Sequence, residues 1–322
     1  MLVLGIQGSP RKKGNTDFLL KTFMKAAEKR GARTHTITVV DQHIEPCAEY
    51  TTCEKKGFCP IKDDMDPEIY SLLRRADVVV PAAPVFFYNV PAQFKALIDR
   101  TQTLWARKYR LGLSDPKRSM RRGFILSQGA TKGKNLFTGI ELTAMYFFDA
   151  VGAEFAGSLY YRGIEHKGDM SKHPTVKADV EAAVEKLFQP YDRRKRILFA
   201  CRENACRSQM AGAFAQYLGG EHVEVIGGGS EPAEKINPSM EKVMKEKGID
   251  MGFRVPQSID QALEEAKPEL IVTMGCGEAC PSVPGADHQD WDLPDPAGKS
   301  LEVMRSVRDE IEKRVIQLIK SL

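Results

Sequence analysis

No apolar run in this chain approaches the roughly 20 residues that a bilayer-crossing helix needs, which argues against a membrane-spanning segment. The first residues form a strand-like run, Leu2-Val3-Leu4-Gly5-Ile6, where a secreted protein would carry a signal peptide, so a cytoplasmic location is expected. A dominant charge is missing as well. Against 47 Lys and Arg stand 43 Asp and Glu, and a net charge of +4 gives nucleic acid no broad basic face. The basic cluster Arg193-Arg194-Lys195-Arg196 has no interleaved aromatics and no second patch to act with, so it reads as a solvated joint. Low-complexity tracts and solenoid-length repeats are also missing. The 322 residues, 42% of them hydrophobic, exceed one ordinary domain and suffice for two cores.

Short apolar strands alternate with amphipathic helices through the first half, the rhythm of a parallel sheet covered on both faces. Strands are expected at 2–7, 35–40, 77–83, 123–127 and 154–160, with helices near 16–30, 67–76, 91–105, 136–151 and 176–188. This predicts a flavodoxin-like, doubly wound α/β domain over residues 1–190. After the joint the alternation restarts over 196–322 as a smaller α/β domain. Its strands are expected at 197, 223–226 and 270–274, and its helices at 208–218, 238–247 and 301–319.

Three loops of the first half fall at the carboxyl edge of that sheet, where open α/β folds bind ligands. Gly8-Ser9-Pro10-Arg11-Lys12-Lys13-Gly14-Asn15-Thr16 joins the first strand to the first helix, and its hydroxyls, amide and N–H groups suit a phosphate. An ordinary helix-capping loop reads the same way. Pro84-Val85-Phe86-Phe87-Tyr88-Asn89 follows the third strand, and consecutive aromatics cannot all face inward. Ser127-Gln128-Gly129 follows the fourth.

Together with Lys95-Ala96-Leu97-Ile98-Asp99-Arg100, these segments resemble the NADPH-dependent FMN reductase family, including its iron–sulfur flavoprotein branch. The resemblance implies FMN, with its phosphate near Ser9, Arg11, Asn15 and Thr16. Its ring is implied near Pro84, Val85, Phe86, Phe87, Tyr88 and Asn89 and near Ser127, Gln128 and Gly129. It further implies NADPH or NADH as hydride donor and a homo-oligomer. The cysteines depart from the iron–sulfur pattern: Cys47, Cys53 and Cys59 stand with Tyr50 where another thiol is expected, so a four-cysteine cluster is not predicted. Shuttle thiols and inert packing are the alternatives.

Seven cysteines in a chain of this kind point to thiol chemistry or metal rather than structural disulfides. In the second half Cys201 leaves a predicted strand and Arg207 directly precedes a predicted helix, with Glu203, Asn204, Ala205 and Cys206 among the residues between. A thiol at a helix N-terminus beside a guanidinium suits attack on a tetrahedral oxyanion, which the loop N–H groups and Arg207 would bind while Asn204 and Ser208 brace the loop. The departing oxygen needs an acid, and Asp292 and Asp295 lie in the rigid run Trp291-Asp292-Leu293-Pro294-Asp295-Pro296. Cys276 and Cys280 have no second ligand pair nearby, so no metal is expected, and His288 alone does not complete a zinc site.

The run from Cys201 to Met210, with Asp295-Pro296-Ala297-Gly298-Lys299 and Val307-Arg308-Asp309-Glu310-Ile311, resembles the arsenate reductases built on the low-molecular-weight tyrosine phosphatase fold. That resemblance selects Asp295 as the acid. Hydrolysis of a cysteinyl intermediate needs no further thiol, whereas reduction of arsenate needs two electrons. Cys276 is the candidate to attack the Cys201 adduct, with Cys280 closing a disulfide. The spacing of Cys276 and Cys280 resembles members that use a small-molecule thiol rather than thioredoxin. The expected protein is a fused flavin reductase and arsenate reductase. The alternative is a protein tyrosine phosphatase regulated by a flavin redox sensor, and the role of Cys206 stays open.

Overall fold

The computed structural model describes residues 1–275 and 282–322. It divides into two compact units, Met1–Leu111 with Met120–Pro190, and Gly112–Ser119 with Tyr191–Leu322. The short excursion belongs to the second unit through backbone bonds: Ser114 N–H donates to Gly248 O and Asp250 N–H to Ser114 O. Among the described residues, no helix is long and apolar enough to cross a membrane.

The first unit runs β1 (Leu2–Gln7), α1 (Asn15–Lys29), β2 (Arg33–Thr38), α2 (Thr52–Lys56), α3 (Tyr70–Arg75), β3 (Val78–Pro84), α4 (Ala92–Arg100), α5 (Gln102–Tyr109), β4 (Arg122–Gly129), α6 (Thr138–Val151), β5 (Glu154–Arg162), α7 (Asp169–Lys172) and α8 (Val176–Phe188). All five strands pair in parallel in the order β2-β1-β3-β4-β5, the flavodoxin-like arrangement. β1 is buried along its whole length, as a central strand with both faces covered must be. The single helix expected over 91–105 is two helices. Thr101 sends both its N–H and its hydroxyl to Ile98 O, a tightened turn that interrupts the ladder between α4 and α5.

The second unit runs β6 (Lys195–Cys201), α9 (Arg207–Gly219), β7 (Val223–Gly229), α10 (Pro238–Glu246), α11 (Ile259–Glu265), β8 (Leu270–Met274), β9 (Asp287–Asp290) and α12 (Leu301–Lys320). Its sheet is parallel in the order β7-β6-β8-β9. β6 carries the apolar run Ile197-Leu198-Phe199-Ala200, buried on both faces. Burying side chains the size of Phe199 and Phe214 contributes roughly 1.5–3 kcal/mol each. α9 is buried on nearly every side, and its small residues permit this: a Cβ on Gly219 would come within 2.7 Å of Ile319 on α12.

Each sheet has one place where strand order reverses, between β1 and β3 in the first and between β6 and β8 in the second. Loops leaving those paired strands diverge and open a crevice at the carboxyl edge. In the first unit these are the loops after Gln7 and Pro84, and in the second those after Cys201 and Met274, which are register partners.

Candidate active site

The loop from Cys201 to Cys206 owes its shape to a neighbouring segment that takes up its carbonyls. Cys201 O, Arg202 O, Glu203 O and Ala205 O accept from the N–H groups of Ser230, Glu231, Ala233 and Asn237 respectively. A planar trans peptide points its N–H opposite to its C=O. The N–H groups of Arg202, Glu203, Asn204 and Cys206 therefore point away from that segment, to the loop's other face. Close approach needs Gly229, where a Cβ would lie 2.8 Å from both Arg202 O and Asn204 N.

Asn204 sits in the left-handed region at φ 49°, and its side chain is held on every side. Its Oδ1 accepts from the Gln257 backbone N–H at 3.1 Å and from Gln209 Nε2 at 3.2 Å. Because the backbone can only donate, that oxygen is fixed as acceptor, and Nδ2 donates to Ser208 Oγ at 2.8 Å. Ser208 Oγ lies 3.0 Å from Cys201 Sγ, and either atom can donate in that hydrogen bond. The chain of contacts thus runs from a main-chain amide through Asn204 and Ser208 to Cys201.

Arg207 opens α9 with its side chain only 7% exposed. Its Nη1 donates to Leu293 O at 3.3 Å, Nη2 pairs with Asp295 Oδ2 at 3.2 Å, and Nε is buried without a partner among the described residues. Asp295 is half-exposed and accepts from Ala297 N–H through its other oxygen, so the Pro294-Asp295-Pro296 turn brings its carboxylate to the cation. Among the described residues Asp292 has no comparable contact. Gly275, at φ 71°, lies against the same cation, since a Cβ there would stand 2.8 Å from Arg207 Nη1. Cys276 and Cys280 lie outside the described residues.

Cys206 faces the core. Its Sγ is 3.4 Å from Met304 Sδ, and both Cys201 and Cys206 are free thiols. Burial pushes the Cys206 thiol up to about 12, the neighbouring Cys201 adds to the shift and Arg207 opposes it. A thiol held neutral in an apolar setting is filler rather than nucleophile.

In the first unit Thr16 and Gln128 meet in the crevice: Gln128 Nε2 donates to Thr16 Oγ1 at 2.7 Å, and Gln128 Oε1 is buried without a partner among the described residues. An orphaned buried acceptor beside a helix N-terminus fits a ligand that carries both a donor and an anion. Ser9 Oγ accepts from Arg11 N–H and keeps its hydroxyl proton for such a ligand. Asn15 is differently engaged. Its amide binds His166 O, Gly168 N–H and Met170 N–H, tying α1 to the turn before α7. Ser127 Oγ is likewise spent on Ala83 O within the sheet. Phe86 and Asn89 exchange both backbone bonds across a tight turn, with Phe87 and Tyr88 in the left-handed region and none of the three aromatics buried. Val85 N–H donates to Gln128 O, and Gly129 gives room to Leu136 and Val85, so the three loops adjoin.

Sequence reasoning missed Gln209, Gln257 and Gly229 in the second unit and Gly139 in the first, where a Cβ would strike Tyr88 O at 2.2 Å. These residues act through neighbours distant in sequence, which no local motif marks.

A thiol and a guanidinium paired with a carboxylate lie at the switch point of a small parallel sheet, in a unit that follows a flavodoxin-like one along the chain. Residues 1–120 match the family model described as NADPH-dependent FMN reductase, and residues 196–322 match that of low molecular weight phosphotyrosine protein phosphatase. An iron-sulfur flavoprotein of Methanosarcina thermophila is 40% identical over 111 residues, 34% of this chain and 58% of that protein. The glutaredoxin arsenate reductase of Synechocystis sp. is 36% identical over 130 residues, 40% of this chain and 98% of that protein. Arsenate reductase 1 of Bacillus cereus is 38% identical over 128 residues, 38% of this chain and 93% of that protein. The second domain belongs to the arsenate reductases of the low-molecular-weight phosphatase family, and the domain before it is similar to FMN reductases and iron–sulfur flavoproteins. The chain spans little more than half the length of the flavoproteins it matches.

The crevice residues fit a flavin, given the orphaned Gln128 Oε1 and the Ser9 and Thr16 hydroxyls at the start of α1. An iron–sulfur cluster fits less well. Cys47, Cys53 and Cys59 supply three thiols, and Tyr50, 63% exposed, brings no sulfur to a fourth position.

Proposed function

We propose that the C-terminal domain reduces arsenate to arsenite by a cysteine relay, and that the N-terminal domain binds FMN and draws on NADPH or NADH to regenerate it. The observation that carries this reading is Gly275 against Arg207, because it ties the residue preceding Cys276 to the cation that serves Cys201. A hydrolase has no need of a second thiol there.

In this reading the Cys201 thiolate attacks arsenic. A sulfur–arsenic bond forms, an arsenic–oxygen bond breaks, and the oxygen leaves as water with a proton delivered by Asp295, which first parts from Arg207 and takes up that proton from solvent. Arg207 and the N–H groups of Arg202, Glu203, Asn204 and Cys206 hold the remaining oxygens. The Cys276 thiolate then attacks Cys201 Sγ. A disulfide forms, and the sulfur–arsenic bonding pair departs with arsenic as arsenite, so two thiols have supplied the two electrons. Cys280 displaces Cys201 from Cys276 and leaves a Cys276–Cys280 disulfide with Cys201 free again.

Ser9, Arg11, Thr16 and Gln128 would hold the flavin, with Pro84 to Asn89 and Gly129 beside its ring. Flavin held there would supply hydride-transfer chemistry with a reduced nicotinamide, the source of the two electrons that opening one disulfide requires. A glutaredoxin, thioredoxin or small thiol is the other source, and the name of the Synechocystis relative pairs glutaredoxin with this activity.

The test is anaerobic incubation of the FMN-loaded full chain with NADPH and arsenate in the absence of any added thiol. Arsenite should accumulate in step with NADPH consumed, and Cys276→Ser should stop turnover. Arsenite formation that requires added glutaredoxin would remove the flavin domain from the relay. Phosphate-ester hydrolysis without arsenite under either condition would overturn the reductase reading itself.

A further inference from the structure

The segment between α10 and α11 lies against α9 and reaches the thiol site by two routes. The first is the Gln257 N–H on Asn204 Oδ1. Gln257 is itself fixed to the end of β7, where its carbonyl accepts from Gly229 N–H and its Nε2 donates to Gly227 O at 2.9 Å. The second route starts at Arg254. Phe253, immediately before it, takes the left-handed conformation at φ 63°, uncommon for a bulky side chain. Arg254 Nη2 donates to Gln216 Oε1 at 2.6 Å and Nη1 to Gln209 Oε1 at 3.4 Å. Both glutamines are buried on α9, and their seven-residue separation places them two turns apart on one face.

A guanidinium carries donors only, so the Gln209 oxygen it meets accepts and the other end of that amide is left to donate. Gln209 Nε2 donates to Asn204 Oδ1 at 3.2 Å. A Gln209 amide turned the other way would set Oε1 against Asn204 Oδ1 and Nε2 against the guanidinium, an acceptor on an acceptor and a donor on a donor. From Asn204 the line continues through Nδ2 to Ser208 Oγ, which lies 3.0 Å from Cys201 Sγ. An ionised sulfur carries no proton, so in the attacking form of Cys201 that last bond is donated by Ser208. Asn204 Nδ2 takes up an oxygen lone pair and leaves the hydroxyl proton to turn toward sulfur. Asn204 and Ser208 are each 1% exposed, so bulk water does not replace a lost link.

We propose that Arg254 is a positioning residue for Cys201, acting through Gln209, Asn204 and Ser208 to keep a hydrogen-bond donor on the attacking sulfur. This rests on Cys201 as the attacking thiol, and holds whether the reaction that follows is reduction or hydrolysis.

Iodoacetamide reads the sulfur without any substrate. Trypsin cuts after Arg196 and Arg202, which puts Cys201 and Cys206 in separate peptides, so mass spectrometry follows Cys201 alone in the full chain as pH is varied. In Arg254→Met the alkylation rate at neutral pH should fall roughly threefold to tenfold, and the profile should move to higher pH. Gln209→Met, which leaves the cation on Gln216, should do the same, and both substitutions together should do no more than either. Arg254→Lys keeps a donor-only head and should restore most of the rate. Arg207, Asp295 and Cys206, the charged and titratable groups placed around the loop, are unchanged in every variant. A profile unmoved in Arg254→Met or in Gln209→Met overturns the proposal, and so do two effects that simply add. Where circular dichroism shows Arg254→Met unfolded, Gln209→Met against Arg254→Lys decides: a shift in the first and a near-parent rate in the second uphold the link, and any other result overturns it. Absence of arsenite turnover in the parent chain counts against the reductase reading alone, since alkylation uses no arsenate.

Discussion

Asn204 shows how much of the candidate site lies in one short run and how much does not. Cys201, Asn204, Arg207 and Ser208 are legible in sequence because their chemical types fall between a strand and a helix. The Gln257 N–H that fixes which end of the Asn204 amide accepts is over fifty residues away and uses main chain, which carries no sequence signature. Cys206 was equally ambiguous, since a thiol in an anion loop reads as reactive until its contact with Met304 is seen. Its titration gives a sign. An unfolded thiol ionises near pH 9, whereas the folded one holds its proton to about 12, so its contribution is fully present below about pH 9 and is lost as pH rises toward 12. Thermal melts of the parent chain and Cys206→Ala from pH 8 to about 11 should diverge in slope above about pH 9, with the parent falling more steeply. Parallel curves would place the thiol in a more polar setting.

Among elements, those with an apolar periodicity were readable to within a few residues, and β8 and α8 begin and end where expected. β9 was not, because Asp287-His288-Gln289-Asp290 is exposed throughout and its strand character comes from pairing with β8 alone. α11 also escaped notice, although Ser258 and Gln261 form a reciprocal capping box at its start. The end of β7 governs the anion loop more than its sequence suggests. Gly229→Ala would press a methyl against main-chain atoms of Arg202, Glu203 and Asn204, which cannot rotate away as a side chain can. Its expected effect is a loss of about 1–3 kcal/mol in urea unfolding, with a rise in the arsenate KM. Gly219→Ala, which meets the flexible side chain of Ile319, should cost stability with the KM unchanged. An equal KM in both variants would show that the loop does not depend on that close approach.

For the whole molecule, two parallel sheets each put their chemistry at the position where strand order reverses, which is why alternation alone predicted the architecture and the edge that carries the loops. The excursion of Gly112–Ser119 into the second unit was not readable, since it rests on backbone bonds to Gly248 and Asp250. Association between molecules is a different property of the same fold. Among the described residues the second sheet ends on β9, with no further strand beside it in this sheet. A bare edge of that kind is a template for a neighbour's strand, and charged, polar side chains along it discourage the pairing. Light scattering of Asp287→Val with His288→Val at rising concentration should reveal self-association that the parent chain lacks. Unchanged scattering would assign the protection to another feature. The four polar residues that hid β9 from a reading based on apolar pattern thus serve colloidal stability: the strand is hard to recognise for the same reason that other molecules have difficulty pairing with it.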